Sequence, residues 1–404
     1  MSDIPQFSTQ RQWETIAPEV EAAVARVLRS GRYVLGPENE AFEEAIRIVT
    51  GTRYAFTCGN GTEALHLALR AVGVRAGDIV LTTPFTFFAT VGAILLSGAQ
   101  PELVDIDPVS LTIDPEALGR ALRQPRATRV GAIVPVHLYG RMAAMPAIRE
   151  LARQRDIPVV EDGAQALGAH LEGRPAGSWG TAAAFSFYPT KNLGAMGEGG
   201  LVTTDDAEVA AQVRLLRVHG SRERYIHLLA GWNARLDELQ AAILAAKLPH
   251  LPAWNQRRQE IAAQYEVALL ATGLARLPHP GPALAPILLP LRTTGHVFHQ
   301  YVLRAQERDG LRRHLQMAGI GSEVYYPVPV HHQPVFAGQP LAQTCHPEAE
   351  RAAQQVLALP MFPELTDGEI ERVVSAITEF YAATRGGAVS GTGASPDSES
   401  TASR

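Results

Sequence analysis

The sequence has little cysteine, no long apolar run and no leader-like start. Its 404 residues include only two cysteines, Cys58 and Cys345, which are too few for a disulfide framework or a thiolate metal site. No stretch approaches the roughly 18 uninterrupted apolar residues that a membrane-spanning helix requires. Residues 1–11 lack the basic start and following apolar run of a secretory leader. We therefore expect a cytoplasmic protein without a membrane partner.

Positive charge is also scarce, and it consists almost entirely of arginine. The chain carries 36 Lys+Arg against 41 Asp+Glu, for a formal charge of -5, and we find no local basic patch for nucleic acid. Lysine occurs only at Lys191 and Lys247. A reaction that needs an amine nucleophile therefore has two candidates.

Short apolar runs alternate with helical segments from about residue 50 to 205, which is typical of a mostly parallel sheet covered by helices. The length predicts a large domain over 1–250, including the N-terminal segment and a connecting helix, and a smaller α+β domain over 251–385. Residues 386–404 are rich in Gly, Ser, Ala and Thr and are expected to be disordered. Strands are expected at 78–82, 101–105, 130–136, 157–160, 183–187, 201–204, 300–303 and 323–326, and helices at 62–72, 145–154, 236–248, 308–318 and 367–383.

Lys191 stands where an apolar strand ends and a loop bounded by proline and glycine begins, within 184–194. The end of a strand is where an α/β sheet presents side chains to ligands. Desolvation there disfavours the ammonium form, which frees the amine to react with a carbonyl group. A solvated loop lysine is the alternative. Lys247 lies in the last turn of a helix and is expected to be structural, because a cation there complements the helix dipole.

The segment 157–166 predicts an apolar strand that delivers carboxylates at its end. Asp162 can hold the protonated nitrogen of a pyridine ring, and Gln165 can hydrogen-bond a phenolic oxygen on that ring. Capping of a helix is an equally open role for Asp162. Glu161 and Asp162 point to opposite faces of a strand, and no His-x-x-x-His spacing accompanies them. We therefore expect no metal.

A glycine turn at 59–65 opens an apolar-faced helix. Free backbone N–H groups and the positive end of the helix dipole allow such a turn, a phosphate cradle, to bind a phosphate group. Gly61, which has no side chain, lets the anion approach the backbone closely. Thr62 can add a hydroxyl group, and Ser186 can supply another. The turn matches neither the Walker spacing nor a full G-x-G-x-x-G, because Ala64 stands three residues after Gly61.

Three phenylalanines, Phe85, Phe87 and Phe88, follow the strand expected at 78–82. One of these rings can lie flat against a planar cofactor. Core packing is the more frequent fate of such side chains. The cluster therefore supports a planar ligand only together with the phosphate cradle and the carboxylate.

In combination, these segments resemble the DegT/DnrJ/EryC1/StrS family of pyridoxal-phosphate-dependent sugar aminotransferases of fold type I. The resemblance covers about residues 10–382, and it implies a large domain with a mostly parallel seven-stranded sheet plus a smaller C-terminal α+β domain. Glu198 departs from the more usual Asp, and the bulky Trp232 beside Asn233 can reshape the substrate mouth. The matching segments are 59–65, 84–90, 161–165, 185–194, 197–200, 231–238, 299–301 and 325–331.

The resemblance implies roles for individual residues. Lys191 would be the Schiff-base lysine and proton shuttle, with Asp162 on the pyridine nitrogen. Asn233 would reach the phosphate of the neighbouring subunit's cofactor, which implies a homodimer. The implied cofactor-binding residues are Gly61, Thr62, Glu63 through its backbone, Phe87, Asp162, Gln165, Ser186, Lys191 and Asn233.

The resemblance also implies the reactants: L-glutamate or glutamine as donor, a nucleotide-linked keto-sugar as acceptor, and pyridoxamine phosphate in between. The segments 59–61 and 325–331 favour a 3-keto over a 4-keto sugar. A cyclitol ketone and a non-catalytic regulatory relative stay open, although the retained Lys191 argues against the latter. A Rossmann-type dehydrogenase lacks its full fingerprint. Candidate substrate contacts are Tyr188, Arg222, Arg224, His227 and His331.

Overall fold

The computed structural model describes residues 3–124, 129–278 and 285–389. The segment 386–404, for which the sequence predicts disorder, lies outside the described residues from 390 onward, and the last helix, Asp367–Val389, includes its first four residues. None of the described helices is long and apolar enough to cross a membrane.

The large domain contains a seven-stranded sheet and two small hairpins. The sheet strands are β1 Tyr54–Cys58, β2 Ile79–Thr82, β3 Gln100–Leu103, β4 Val130–Ile133, β5 Val160–Asp162, β8 Ala182–Ser186 and β9 Gly200–Thr204, and β6 His170–Leu171 pairs with β7 Arg174–Pro175. The order β1-β9-β8-β5 continues into β4-β2-β3 through parallel bridges between Ile133 and Val159 and between Val136 and Asp162. Only β9 runs antiparallel to its neighbours. The expected mostly parallel seven-stranded sheet is confirmed.

Successive side chains on the sheet strands pack against helices on opposite faces, as the twofold strand period requires. Ala184 joins the core with Leu67 of one helix layer, whereas Phe185 packs with Phe42 of the other. The helices are α1 Thr9–Ser30, α2 Pro37–Thr50, α3 Gly61–Ala71, α4 Ala89–Leu96, α5 Pro115–Leu122, α6 Met145–Arg153, α7 Ala207–Leu216 and α8 Glu238–Lys247.

A long helix, α9 Leu251–Ala271, begins directly after a 3₁₀ turn that follows α8. The sequence analysis ends the preceding helix at residue 248 and expects no other helix before residue 308. Proline is tolerated in the first turn of a helix, where its missing N–H would have no partner. The buried stripe of α9 also includes Asn255 and Arg258, which hide its apolar periodicity.

A second sheet forms the smaller α+β unit, in the order β12-β13-β14-β15. Its strands are β12 Ala275–Arg276, β13 Ile287–Leu288, β14 Tyr301–Ala305 and β15 Val356–Leu359, and its helices are α10 Arg308–Met317, α11 Pro347–Gln355 and α12 Asp367–Val389. The remaining two strands, β10 Ser221–Glu223 and β11 Ile226–His227, form the second hairpin of the large domain, which is exposed. The strand expected at 323–326 is reduced to one bridge between Glu323 and Ala358. The chain leaves the sheet there because Tyr326 turns towards the large domain, where it contacts Gln165.

Candidate active site

Asp162 ends β5 as a buried carboxylate that two groups hold in place. The Thr90 hydroxyl donates a 2.8 Å hydrogen bond to its Oδ2, and the Ala164 N–H donates a 3.2 Å bond to its Oδ1. Burial raises the pKa of Asp162, while these bonds and the charge of Lys191 oppose the rise. The carboxylate is therefore a partly compensated negative charge inside the protein, able to hold a cationic N–H group.

Lys191 follows β8 and is half-buried. Burial lowers the pKa of its amine to about 8, and the negative charge of Asp162 opposes this shift. At a pKa of about 8, roughly a tenth to a fifth of such an amine is neutral near physiological pH, a far larger share than for an ordinary exposed lysine. The structure thus favours the reactive interpretation of Lys191 over that of a solvated loop lysine.

The loop after β8 is fixed by residues from α8, α9 and the small-domain segment. Lys247 donates from Nζ to the carbonyl oxygen of Gly194 at 2.5 Å. Asn192 donates to Oδ1 of Asn255 at 2.7 Å, and Nδ1 of His299 lies 3.0 Å from Asn192 Oδ1. Lys247 lies in the last turn of α8, as expected, and it also holds the loop through its bond to Gly194.

Gln165 connects the two domains at the site. Its Oε1 accepts a 2.7 Å hydrogen bond from the backbone N–H of Tyr139, and its Nε2 donates to the Tyr326 hydroxyl at 3.0 Å. The Tyr326 ring lies 6.1 Å from the ring of Phe87, which is 60 % exposed. The structure therefore brings Tyr326 to Gln165 and Phe87. The sequence analysis assigned Tyr326 no role, because no local pattern indicates that it contacts Gln165.

The glycine turn packs tightly against the sheet at the start of α3. A Cβ on Gly61 would lie 2.6 Å from the Cβ of Ser186, so only glycine fits there. The Asn60 side chain caps α3 by accepting from the Glu63 N–H at 2.9 Å. Gly61 and Ser186 therefore lie next to each other, and the Glu63 N–H, which the sequence analysis assigned to a phosphate, is bonded to the Asn60 side chain.

Trp232 packs back against α3, so in this structure its bulk fills a space beside that helix. Its ring stacks on His66 with centroids 4.2 Å apart, and its indole N–H donates to the Glu63 carboxylate. The neighbouring Asn233 is exposed, and its Oδ1 accepts from Arg235 Nε at 2.8 Å.

A buried pair that the sequence analysis did not find supports the strand under Asp162. His137 Nε2 lies 2.9 Å from Glu161 Oε2, and both side chains are fully buried. Glu161 also accepts backbone N–H groups from Gly177, Trp179 and Gly180. Glu161 and Asp162 thus have separate partners on the two faces of β5.

The candidate substrate contacts fall into two environments. Arg222, Arg224 and His227 are exposed on the β10–β11 hairpin, and Tyr188 is 50 % exposed just after β8. His331 is instead fully buried, with Nε2 lying 3.2 Å from Oε1 of Glu350. The structure therefore leaves the first four accessible and encloses the fifth.

The chain is similar to known proteins over nearly its whole length. Residues 14–378 match the DegT/DnrJ/EryC1/StrS aminotransferase family. A "pleiotropic regulatory protein" of Geobacillus stearothermophilus is 45 % identical over 94 % of this chain and 99 % of its own. The dTDP-3-amino-3,4,6-trideoxy-alpha-D-glucose transaminase of Streptomyces venezuelae is 43 % identical over 93 % and 96 % of the two chains.

A solved structure supports the same assignment at the level of the fold. The crystal structure of S. venezuelae DesV superposes with a TM-score of 0.87 at 42 % identity, and the match covers 94 % of this chain and 99 % of that one. The matches span nearly the whole length of both partners, so they include both sheets and the segments that form the site. The chain belongs to the DegT/DnrJ/EryC1/StrS aminotransferase family.

Proposed function

We propose that this protein uses pyridoxal phosphate to move an amino group from L-glutamate or glutamine to a nucleotide-linked keto-sugar. One observation carries the proposal. The two strands β5 and β8, which are parallel neighbours, deliver Asp162 and Lys191 to the same edge of the sheet, and the electrostatic interaction between the two residues opposes both pKa shifts. A buried carboxylate beside a low-pKa amine is the pair that this cofactor requires.

The residues present fit the cofactor. Asp162 offers a buried anion for the ring nitrogen, and the exposed Phe87 ring offers a stacking surface. Gly61 lets the start of α3 approach Ser186 closely, because a Cβ there would lie 2.6 Å from the Ser186 Cβ. We assign the phosphate to the α3 start with Thr62 and Ser186, and the ring oxygen to Gln165. Bound there, pyridoxal phosphate supplies an aldehyde that accepts amino groups and a ring that takes up electrons.

The chain's own groups supply binding and proton transfer. The neutral amine of Lys191 takes the proton from Cα of the amino donor and later returns a proton to the acceptor carbon. Asp162 keeps a proton on the ring nitrogen, and the Thr90 hydroxyl keeps Asp162 in its anionic form. Gln165 is oriented by the Tyr139 N–H, which donates to its Oε1, and by the Tyr326 hydroxyl, which accepts from its Nε2. These bonds fix the amide so that its N–H₂ group is the side that donates to the ring oxygen.

The acceptor is proposed to be a 3-keto-sugar attached to a nucleoside diphosphate. The name of the S. venezuelae relative, a transaminase of a dTDP-3-amino sugar, supports the 3-position. Arg222, Arg224 and His227 form an exposed basic hairpin suited to a diphosphate. Tyr188 is half-exposed and stands three residues before Lys191, so we place it at the sugar. We assign no substrate contact to His331, because it is buried.

A regulatory protein is the second candidate, since the relative from G. stearothermophilus carries that description. The retained Lys191 and Asp162 favour catalysis. The deciding experiment is an absorbance spectrum of the purified protein with pyridoxal phosphate, before and after L-glutamate. We expect a visible band that moves towards the near-ultraviolet, with release of 2-oxoglutarate, and neither change in Lys191→Ala. Protein that gains no visible band after incubation with the cofactor would refute the catalytic proposal.

The acceptor is tested by the second half of the reaction. Protein converted by L-glutamate is separated from the donor and mixed with a dTDP- or UDP-linked 3-keto-sugar, or with the matching 4-keto-sugar. Return of the visible band with the 3-keto compound is the expected result. Return with the 4-keto compound alone would correct the position of amination without affecting the cofactor assignment.

A further inference from the structure

Three side chains that the reaction does not use meet between a turn and a helix of the smaller unit. His331 and His332 belong to the 3₁₀ turn Val330–His332, and Glu350 belongs to α11. One potential ligand atom from each lies within 4.8 Å of the others. The sequence analysis expected no metal, and it could not find this group because Glu350 stands 18 positions after His332 and belongs to another element.

His331 has an unsatisfied nitrogen at this point. Its side chain is fully buried, and its Nδ1 has no hydrogen-bond partner among the described residues. Its other ring nitrogen, Nε2, lies 3.2 Å from Oε1 of Glu350. Because Glu350 lies on the Nε2 side of the ring, an ion shared with Glu350 would bind Nε2 in place of this contact, and the ring proton would then lie on Nδ1.

The neighbouring groups favour a cation here. The His346 ring lies 4.9 Å from the His331 ring, with its Nε2 2.9 Å from the Thr344 hydroxyl oxygen. Asp105 accepts from the Glu348 and Ala349 N–H groups at 3.0 Å each and interacts electrostatically with His331. The Asp105 carboxylate thus adds negative charge near the cluster, and the His346 ring packs beside it.

We propose that His331, His332 and Glu350 bind a divalent transition-metal ion, with zinc as the best-fitting member of this class. Two imidazole nitrogens and one carboxylate oxygen are typical zinc ligands, whereas calcium and magnesium prefer oxygen alone. The exposed His332 gives an ion access from solvent, and a rotation of its side chain would be needed to shorten the present spacing to bonding distance. The fourth position is open to water or to His346.

Metal binding at this place would stabilise the contact between the two units. Besides bearing two ligands, the turn docks on the large domain, since the Val330 N–H donates to the Pro84 carbonyl at 2.8 Å. The Phe336 and Phe88 rings lie 6.2 Å apart beside it. An ion that joins the turn to α11 would hold the turn against the large domain. The contact between the turn and the large domain in turn supports the segment that carries Phe87.

The test is isothermal titration of zinc chloride into the chelator-treated, dialysed holoprotein, without glutamate, because glutamate itself binds metals. We expect one equivalent per chain and a rise in Tm of about 2 °C or more at saturation. His332→Ala and Glu350→Gln should each weaken binding at least about tenfold. Both variants leave the buried His331 in place, so each is expected to fold, which the Tm without zinc checks.

Two matched controls separate this site from adventitious binding. His250→Ala removes a surface histidine that pairs with Glu19, and Cys345→Ser removes the exposed thiol next to His346. Both should bind zinc as the unaltered protein does. The proposal is overturned if no zinc binds, if binding survives both His332→Ala and Glu350→Gln, or if Cys345→Ser abolishes it.

Discussion

The hydroxyl of Thr90 donates a 2.8 Å hydrogen bond to Oδ2 of Asp162, and both side chains are buried. Thr90 stands in the first turn of α4, three residues after Phe87. The Thr86 and Thr90 hydroxyl oxygens lie 2.9 Å apart, so a short chain of hydroxyl groups leads to the carboxylate. The segment that presents the Phe87 ring therefore also holds the charge of Asp162.

Thr90→Val removes this bond with little change in side-chain shape. The pKa of Asp162, already raised by burial, should rise further, so its carboxylate is lost at a higher pH as the solution is acidified. We expect kcat/KM for the glutamate half-reaction to fall about tenfold, in line with the loss of a hydrogen bond to a charged group. The measurement is the pH profile of 2-oxoglutarate release. Thr86→Val, which does not touch Asp162, is the control, and an unshifted acidic limb in Thr90→Val would contradict the role given to the hydroxyl.

Lys191→Ala should lower the rate of 2-oxoglutarate release by about 10³-fold or more, because it removes both the amine nucleophile and the proton-transfer group. Lys247→Met is the matched control in a chain with two lysines. It removes the bond to Gly194 but leaves the reactive amine, so the visible absorbance of the loaded protein should persist. Retained turnover in Lys191→Ala would assign the chemistry elsewhere.

The lowered pKa of Lys191 predicts how the protein without cofactor takes up pyridoxal phosphate. Only the neutral amine reacts, and the pKa is about 8, so the uptake rate should rise about tenfold per pH unit well below pH 8 and level off above it. An ordinary lysine would show a rate that continues to rise towards pH 10. Stopped-flow absorbance from pH 6 to 10 measures this, and the absence of a plateau would show that the amine is not desolvated.

Gly61→Ala should disrupt the proposed phosphate cradle, because the new methyl group would lie 2.6 Å from Cβ of Ser186. The start of α3 must then move away from β8. We expect a loss of about 1–3 kcal/mol in the free energy of unfolding, as for other overpacked positions, together with weaker retention of cofactor on dialysis. Gly368→Ala, where a Cβ would meet no atom within 4 Å, is the control. Equal behaviour of the two variants would remove the cradle from the proposal.

Asn233 is proposed to complete the site of a neighbouring subunit, and this is tested by mixing inactive chains. Lys191→Ala and Asn233→Ala should each lose most activity as pure proteins. In a mixed dimer, the Asn233→Ala chain still carries Lys191 and receives Asn233 from its partner, so one site per dimer is complete. Co-expression with two affinity tags should therefore restore activity to the mixed fraction. A mixed dimer as inactive as its parents would place Asn233 in its own subunit's site or outside any site.

Local sequence identified the groups with the most distinctive chemistry. Lys191 and Asp162 stand out because each follows a short apolar strand, and the alternation of strands and helices places both at one edge of a parallel sheet. The ends of most strands of that sheet were predicted to within a few residues for the same reason. Strand β5 was expected at 157–160 and lies at Val160–Asp162. Other elements were not predicted, although one of them, α9, supplies Asn255 and Arg258 to the buried interior. They are strands β1, β6, β7, β10–β13 and β15 and helices α1, α2, α4, α5, α7, α9 and α11.

Tertiary structure alone decided which distant groups meet. Thr90 reaches Asp162 across 72 positions, and Tyr326 reaches Gln165 across 161. Neither contact leaves a periodic trace in the sequence, because a side-chain hydrogen bond constrains two residues and not the segment around them. His331 was considered as a substrate contact for its place in a family segment, but packing buried it beside Glu350. The sequence by itself therefore determined which chemical groups stand at the edge of the sheet and in what order the elements follow. Only the folded chain determined the partners that set the pKa of each group, since burial and charge depend on all the elements that pack around that group.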